Sequence, residues 1–134
     1  MQVDEHEPES SLILVLDDIE ETRDVTEKLL HASGYSVQCA RNEAEAVLRA
    51  GWRVPQLILL SLDGDMHQAI AIAGRVKMGA RLADKTVAVV IDNLVIPEGA
   101  EIAMGDNVYV TRPDNFDQLR RFLAEVLAVK PTAL

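Results

Sequence analysis

Ser61 stands at a position where chemistry is expected. It follows four apolar residues, Leu57 to Leu60, in the segment "PQLILLSLDGD", which reads as a buried strand that delivers its last side chain to the edge of a sheet. A serine hydroxyl becomes a nucleophile only beside a positioned base. No histidine is a natural base: His6 lies in a polar tail, His31 ends the first predicted helix, and His67 follows the strand in a loop typical of a solvated residue. The neighbouring carboxylates are weak bases, so the sequence does not favour Ser61 as a nucleophile.

Strand-like and helix-like segments alternate along the whole chain. Continuous apolar runs, alternating runs and β-branched runs predict five strands. Helical periodicity, capping residues and terminal glycines predict five helices, the fourth of them a short one in "PEGAEIAM" from Pro97 to Met104. This alternation predicts an α/β fold in which helices cover both faces of a parallel sheet. Ligands gather beyond the carboxyl ends of the strands in such folds. Besides Ser61, the residues at those ends are Asp17, Asp18, Ile91, Asp92, Thr111 and Arg112.

Composition and charge limit the classes of function. The chain has 134 residues, 49% of them hydrophobic, and a net charge of −9. It therefore predicts one domain, residues 11–129, between a polar N-terminal tail (1–10) and a C-terminal tail (130–134). The acidity argues against nucleic acid or an anionic membrane as a direct partner. The acidic N-terminus resembles neither a signal peptide nor an anchor, and no segment reaches the length of a membrane span, so a cytoplasmic location is expected.

Three segments, in this order, carry a resemblance to a known family: "LVLDDIEETR", "PQLILLSL" and "GDNVYVTRPDNFDQL". From roughly Leu12 to Leu127 the chain resembles the CheY-like receiver domain of bacterial two-component response regulators. The resemblance implies a flavodoxin-like (βα)5 fold with strand order 2-1-3-4-5. It also implies a site at which Mg²⁺ and a phosphoryl group meet.

The resemblance assigns a family role to five positions, and three of them carry a different residue type. Asp17 and Asp18 match the acidic pair that helps to bind Mg²⁺. Ser61 stands where the family has the aspartate that accepts the phosphoryl group. Ile91 stands where a Ser or Thr would hold that group, and Arg112, which precedes a proline, stands where the family has a lysine.

These changes weaken the family chemistry. Ile91 offers no hydrogen bond to a phosphoryl oxygen. Arg112 keeps a positive charge but presents a planar fork suited to carboxylates, which predicts a salt bridge to Asp17 or Asp18. With one carboxylate fewer than the family site, we expect a weak or vestigial Mg²⁺ site made of Asp17, Asp18 and the backbone of Asp63, and no other cofactor.

The leading hypothesis is therefore a degenerate receiver, or pseudo-receiver, in bacterial signalling. It would bind a protein partner without being phosphorylated and would not be an enzyme; the chain ends at Leu134 without an effector domain, as a stand-alone protein or an excised piece would. The alternative is a working phospho-acceptor with a rebuilt Mg²⁺-dependent site that uses Asp63 or Ser61, although Asp63 beside Gly64 is also typical of a plain turn. A third hypothesis, an unrelated flavodoxin-like enzyme or cofactor binder, is disfavoured because the first turn, "DDIEET", is acidic and lacks glycine.

The expected partner surface combines the fourth helix, the fifth strand and the fifth helix. Tyr109 stands at the family's aromatic switch position on that strand. Leu94, Val95 and Ile96 form an apolar cluster that would contact a partner or a second copy, or would cap the core. Trp52 is either an interface anchor or a residue at the edge of the core.

Overall fold

Six strands and four helices make up the part of the chain that the computed structural model describes, residues 11–61, 65–82, 87–92 and 96–128. In chain order they are β1 (Leu12–Asp17), α1 (Glu20–Ala32), β2 (Ser36–Ala40), α2 (Glu43–Trp52), β3 (Leu57–Ser61), α3 (Met66–Gly79), β4 (Ala88–Asp92), β5 (Glu101–Gly105), β6 (Val108–Thr111) and α4 (Phe116–Ala128).

One sheet contains all six strands in the order β2-β1-β3-β4-β6-β5. The first five of these run parallel, and β5 joins the outer edge antiparallel to β6. Strands β1 and β3 lie in the middle and are buried along nearly their whole length, as their continuous apolar runs require. The predicted flavodoxin-like class is confirmed, and so is the order 2-1-3-4-5 for the parallel strands.

Helices cover both faces of the sheet. On one face, α2 and α3 bury mainly small residues against the strands, among them Ala46, Ala50, Ala73 and the larger Val76. On the other face, α1 and α4 bury larger side chains: Leu30, Leu119, Phe122, Leu123 and Val126. Successive side chains along each strand point alternately into these two cores, because a strand is pleated.

Local capping fixes where α2 and α3 begin. The Asn42 side chain accepts a hydrogen bond from the Glu45 N–H at 2.8 Å, which confirms Asn42 as the N-cap of α2. The Asp65 carboxylate accepts one from the Gln68 N–H, also at 2.8 Å, and starts α3. Since Asp65 lies four residues after Ser61, this cap places α3 directly beyond the end of β3.

The predicted helix from Pro97 to Met104 is wrong, and with it the count of five strands. The chain turns at Pro97–Ala100, where the Ala100 N–H bonds the Pro97 carbonyl at 3.1 Å and Gly99 has a φ of 86°, the conformation that a type II turn gives to glycine. Residues Glu101–Gly105 then pair with β6. Arg112 fastens the base of this hairpin: its N–H bonds the Ala100 carbonyl at 3.0 Å.

A tight turn closes the β5–β6 hairpin. Asp106 and Asn107 have φ values of 54° and 62°, the left-handed conformation of the two central residues in a type I′ hairpin turn. Gly105 precedes them with a φ of 94°, at a register irregularity between Ala103 and Gly105. Pairing with β6 satisfies the backbone groups on the inner side of this segment, whereas a helix of eight residues would have to form its hydrogen bonds alone.

Candidate functional site

Three polar residues end three adjacent strands in one line. Asp17 of β1 is the register partner of Ser61 of β3, and Ser61 is the register partner of Asp92 of β4. Because register partners in a parallel sheet share a face, the three side chains project on the same side of the sheet. We call Asp17, Ser61 and Asp92 the strand-end row.

Asp17 is held firmly in this row. It is 2% exposed, and its Oδ1 accepts a hydrogen bond from the Ile19 N–H at 2.9 Å. Its Oδ2 accepts another from the Thr22 hydroxyl at 2.5 Å, while Arg23 donates to the Asp17 carbonyl oxygen at 2.9 Å. Both carboxylate oxygens are therefore engaged in starting α1.

Asp92 lies on the other side of Ser61, and its carboxylate has fewer hydrogen bonds than that of Asp17. Its Oδ1 is fully buried and has no hydrogen-bond partner among the described residues. The pKa of Asp92 is raised to about 6: burial has the largest effect, the Ser61 hydroxyl beside it lowers the pKa in part, and the Asp17 carboxylate raises it. Near pH 6 this carboxyl group is therefore divided between its protonated and ionised forms, and at pH 7 it is mostly ionised.

The row has the parts of a weak proton-transfer pair. A carboxylate whose pKa lies near 6 accepts a proton at neutral pH more readily than an ordinary aspartate does. Its neighbour Ser61 carries the hydroxyl proton that such a base would remove. On the far side, however, Asp17 places a second carboxylate beside Ser61, so the surroundings of the hydroxyl are negative.

Ile91 lies on the opposite face of the sheet from the row. It is 0% exposed and belongs to the core under α2 and α3, together with Leu60, its register partner on β3. The resemblance places Ile91 at the position that would hold a phosphoryl group, whereas the residue of β4 in register with Ser61 is Asp92. The alternation of side chains along β4 could have revealed this from the sequence, because Ala88, Val90 and Asp92 share one face of the strand.

Arg112 does not form the predicted salt bridge with Asp17 or Asp18. Its side chain is exposed, and Nη1 donates to the Ile96 carbonyl oxygen at 2.7 Å. The reason is the hairpin: Arg112 follows β6 and is drawn to the segment that enters β5. Its neighbour Thr111 is 0% exposed, and its hydroxyl donates to the Ala100 carbonyl at 2.9 Å. Thr111 therefore connects the strand ends to the hairpin, a role that the sequence did not reveal.

The magnesium site that the resemblance implies stays a prediction. Asp18 is exposed, and both oxygens of Asp17 already accept hydrogen bonds. Within residues 11–61, 65–82, 87–92 and 96–128, no group of three or more His, Cys, Asp or Glu side chains is placed to hold a metal ion. The Asp63 backbone, which the sequence analysis adds to this site, lies outside the described residues.

The predicted partner surface is changed by the loss of its helix. Tyr109 is half-buried and makes an edge-on contact with Phe122 of α4, with ring centroids 6.0 Å apart. Ile96 is half-buried and packs against the core under α2 and α3, while Leu94 and Val95 lie outside the described residues. Trp52 is 75% exposed at the end of α2, so its interpretation as a residue at the edge of the core is wrong.

Known structures resemble this fold closely, although their sequences do not. No protein-family model and no curated protein matches the chain. A putative response regulator from Chloroflexus aurantiacus matches with a TM-score of 0.68 and 16% identity, over 90% of this chain and 100% of that one. The receiver domain of the hybrid histidine kinase CckA matches with a TM-score of 0.62 and 21% identity, over 87% and 98%. The response regulator TrrA of Thermotoga maritima, solved in complex with Mg²⁺-BeF, matches with a TM-score of 0.61 and 18% identity, over 87% and 98%.

At these identities the likeness shows the fold alone. The chain has the fold of CheY-like receiver domains, with an added antiparallel edge strand. As for membranes, none of the helices that the structure describes combines the length and the apolar character needed to cross one.

Proposed function

We propose that this chain is a receiver-type domain of a two-component signalling system that acts by binding a protein partner, and that Ser61 does not accept a phosphoryl group. The receiver domains among its structural neighbours support the first part. One observation carries the second part: Ser61 lies in register between Asp17 and Asp92, so a carboxylate borders it on each side.

Charge opposes phosphorylation in such a row. A phosphoserine carries about −1.5 to −2 charges at neutral pH. Neighbouring strands lie roughly 4.8 Å apart, and two like charges about 4 Å apart near a protein surface repel by on the order of 4 kcal/mol. Unless the carboxylates were neutralised, a phosphoryl group on Ser61 would meet this repulsion from both sides.

Two described arginines, Arg23 and Arg112, donate to main-chain oxygens. Arg112 donates to the Ile96 carbonyl, and Arg23 donates to the Asp17 carbonyl. Each of these guanidinium groups is therefore committed to a main-chain oxygen rather than directed at Ser61. This arrangement suits a domain whose conformation is set without a phosphoryl group.

A second candidate function follows from the pair of Ser61 and Asp92. In it, Asp92 takes the hydroxyl proton as Ser61 Oγ forms a bond to the phosphorus of an acyl phosphate, whose bond to the acyl oxygen breaks and releases the carboxylate. The raised pKa of Asp92 favours this role for the carboxylate. A rebuilt site that uses Asp63 belongs to the same alternative.

Intact-mass measurement after incubation with acetyl phosphate and Mg²⁺ separates these candidates. We expect no mass gain in the natural chain, in Ser61→Ala or in Asp92→Asn. A stable gain of one phosphoryl group that disappears in Ser61→Ala would contradict the proposal. If the gain also fell in Asp92→Asn, Asp92 would be the base; a gain that survives Ser61→Ala would direct the mapping to the aspartates, Asp63 first.

A further inference from the structure

Within the part of the chain that the structure describes, the outer edge of β5 offers unpaired backbone groups. There β5 pairs only with β6, and all five of its residues are exposed. The Ala100 carbonyl bonds inward to the Arg112 N–H at 3.0 Å. Because alternate residues of an antiparallel strand direct their N–H and C=O groups to opposite sides, Glu101 and Ala103 direct theirs away from β6.

The side chains of β5 do little to protect this edge. Natural edge strands are commonly guarded by lysine, proline or inward-pointing charges. β5 carries a single charge, Glu101, at its first position. Ile102 and Met104 are 39% and 41% exposed, and they lie two residues apart, on one face of the strand.

We infer that β5 pairs antiparallel with β5 of a second copy of this chain, about a twofold axis at Ala103. The two six-stranded sheets then join into one continuous sheet across the dimer. In this register Glu101 of one copy stands opposite Gly105 of the other, and Ile102 stands opposite Met104. The two copies of Ala103 face each other across the axis.

The strand is self-complementary in this register, which is the reason to choose a second copy as its occupant. The axis generates two cross-strand pairs of Ile102 with Met104, and apolar pairs of this kind stabilise sheets. Each Glu101 carboxylate faces a glycine, so no like charges stand opposite one another. A register that brought the two Glu101 residues together would add that repulsion and lose the apolar pairs.

The backbone has the matching geometry. Residues at the centre of an antiparallel pair exchange two hydrogen bonds when their N–H and C=O groups point to the partner strand. Ala103 directs its groups outward, as a residue on the twofold axis must for such an exchange. This dimer depends on the β5 edge alone and is independent of any chemistry at Ser61.

Sedimentation velocity over a range of concentrations tests the dimer. We expect a reversible monomer–dimer equilibrium whose dissociation constant rises at least about tenfold in Met104→Lys, since two copies of the new charge enter the interface. Leu48→Lys is the matched control: Leu48 is 52% exposed on α2, so the same kind of change there should leave the constant unaltered. Ile102→Lys tests the same contact from its other half if Met104→Lys does not fold.

Amide hydrogen exchange locates the interface. In the dimer we expect the N–H groups of Glu101 and Ala103 to gain protection as the concentration rises, while the inward-bonded Arg112 N–H is protected at every concentration. A chain that stays monomeric up to about 1 mM overturns the inference. A dimer that neither lysine variant weakens, or whose added protection falls outside β5, overturns it as well.

Discussion

The strand-end row and the β5–β6 hairpin belong to the same sheet, yet different forces decide their conformations. The strands that carry Asp17, Ser61 and Asp92 run through the core, and the residues before them are buried on both faces. The hairpin lies at the edge, where β5 is exposed along its length. Hydrophobic burial thus positions the row, while turns and backbone pairing position the hairpin.

This difference teaches where function has room to change. Atoms in the row are surrounded, so a change of residue there alters charge and hydrogen bonding in a fixed frame. At the edge, a segment of helical composition becomes a strand and presents a new surface. Substitutions in the strand-end row can therefore change or remove a reaction, whereas a new strand at the edge can create a surface for binding another chain.

The largest expected effect sharpens the contrast in burial. Ile58→Ala on β3 removes a side chain that is 0% exposed and should lower the free energy of unfolding by about 2–5 kcal/mol. Ile102→Ala on β5 removes the same atoms from a side chain that is 39% exposed and should cost less than about 1 kcal/mol in the monomer. Urea denaturation at low protein concentration compares the two, and similar losses would contradict the division between core and edge.

The next effect concerns the cost of ionising the buried Asp92 carboxyl group in the strand-end row. The pKa of Asp92 rises from 3.8 to about 6 in the folded chain, mainly through burial. Below about pH 3 the group is protonated in both states and has no cost. As the pH rises toward 6, the unfolded chain ionises first and binds fewer protons, so stability falls, and above about pH 7 the full cost remains.

Asp92→Asn should remove that cost. We expect it to stabilise the fold by about 1–3 kcal/mol at pH 8 and to have little effect at about pH 3. Thermal melts across this range measure the effect, with the exposed Asp18→Asn as the control that should show no such trend. A loss of stability at pH 8 would mean that the ionised carboxylate is compensated in the row.

The turn tests how the hairpin is held. Asn107 has a φ of 62°, which costs most side chains about 1–2 kcal/mol. Asn107→Ala should therefore lower the free energy of unfolding by about 1 kcal/mol, whereas Asn107→Gly should be close to neutral. Equal losses in both variants would show that the Asn107 side chain, rather than its backbone conformation, holds the turn.

The smallest expected effect lies where the two regions meet. Thr111 is the last residue of β6, and its hydroxyl donates to the Ala100 carbonyl at the base of the hairpin, at 2.9 Å. Thr111→Val should cost about 0.5–1 kcal/mol, a modest loss because the Ala100 carbonyl still accepts from the Arg112 N–H. Thr111→Ser keeps the hydroxyl and separates the hydrogen bond from the packing of the methyl group; chemical denaturation of both variants gives the comparison.

The sequence by itself determined the central architecture. Continuous apolar runs in β1 and β3 indicate strands buried on both faces, and the alternating helices require a parallel sheet. The same runs place Asp17 and Ser61 at strand ends, where the structure brings them into register. These predictions succeed because burial of apolar residues dominates the free energy of these segments and can be read from composition and period.

The tertiary structure decided the rest. Whether Ile91 or Asp92 stands beside Ser61 depends on register, because a shift of one residue moves a side chain to the other face of the sheet. Whether Glu101–Gly105 forms a helix or a strand depends on β6, whose backbone offers hydrogen bonds that no local propensity records. Arg112 likewise turns from the predicted carboxylates to Ile96, because that hairpin, once formed, places a carbonyl oxygen within its reach.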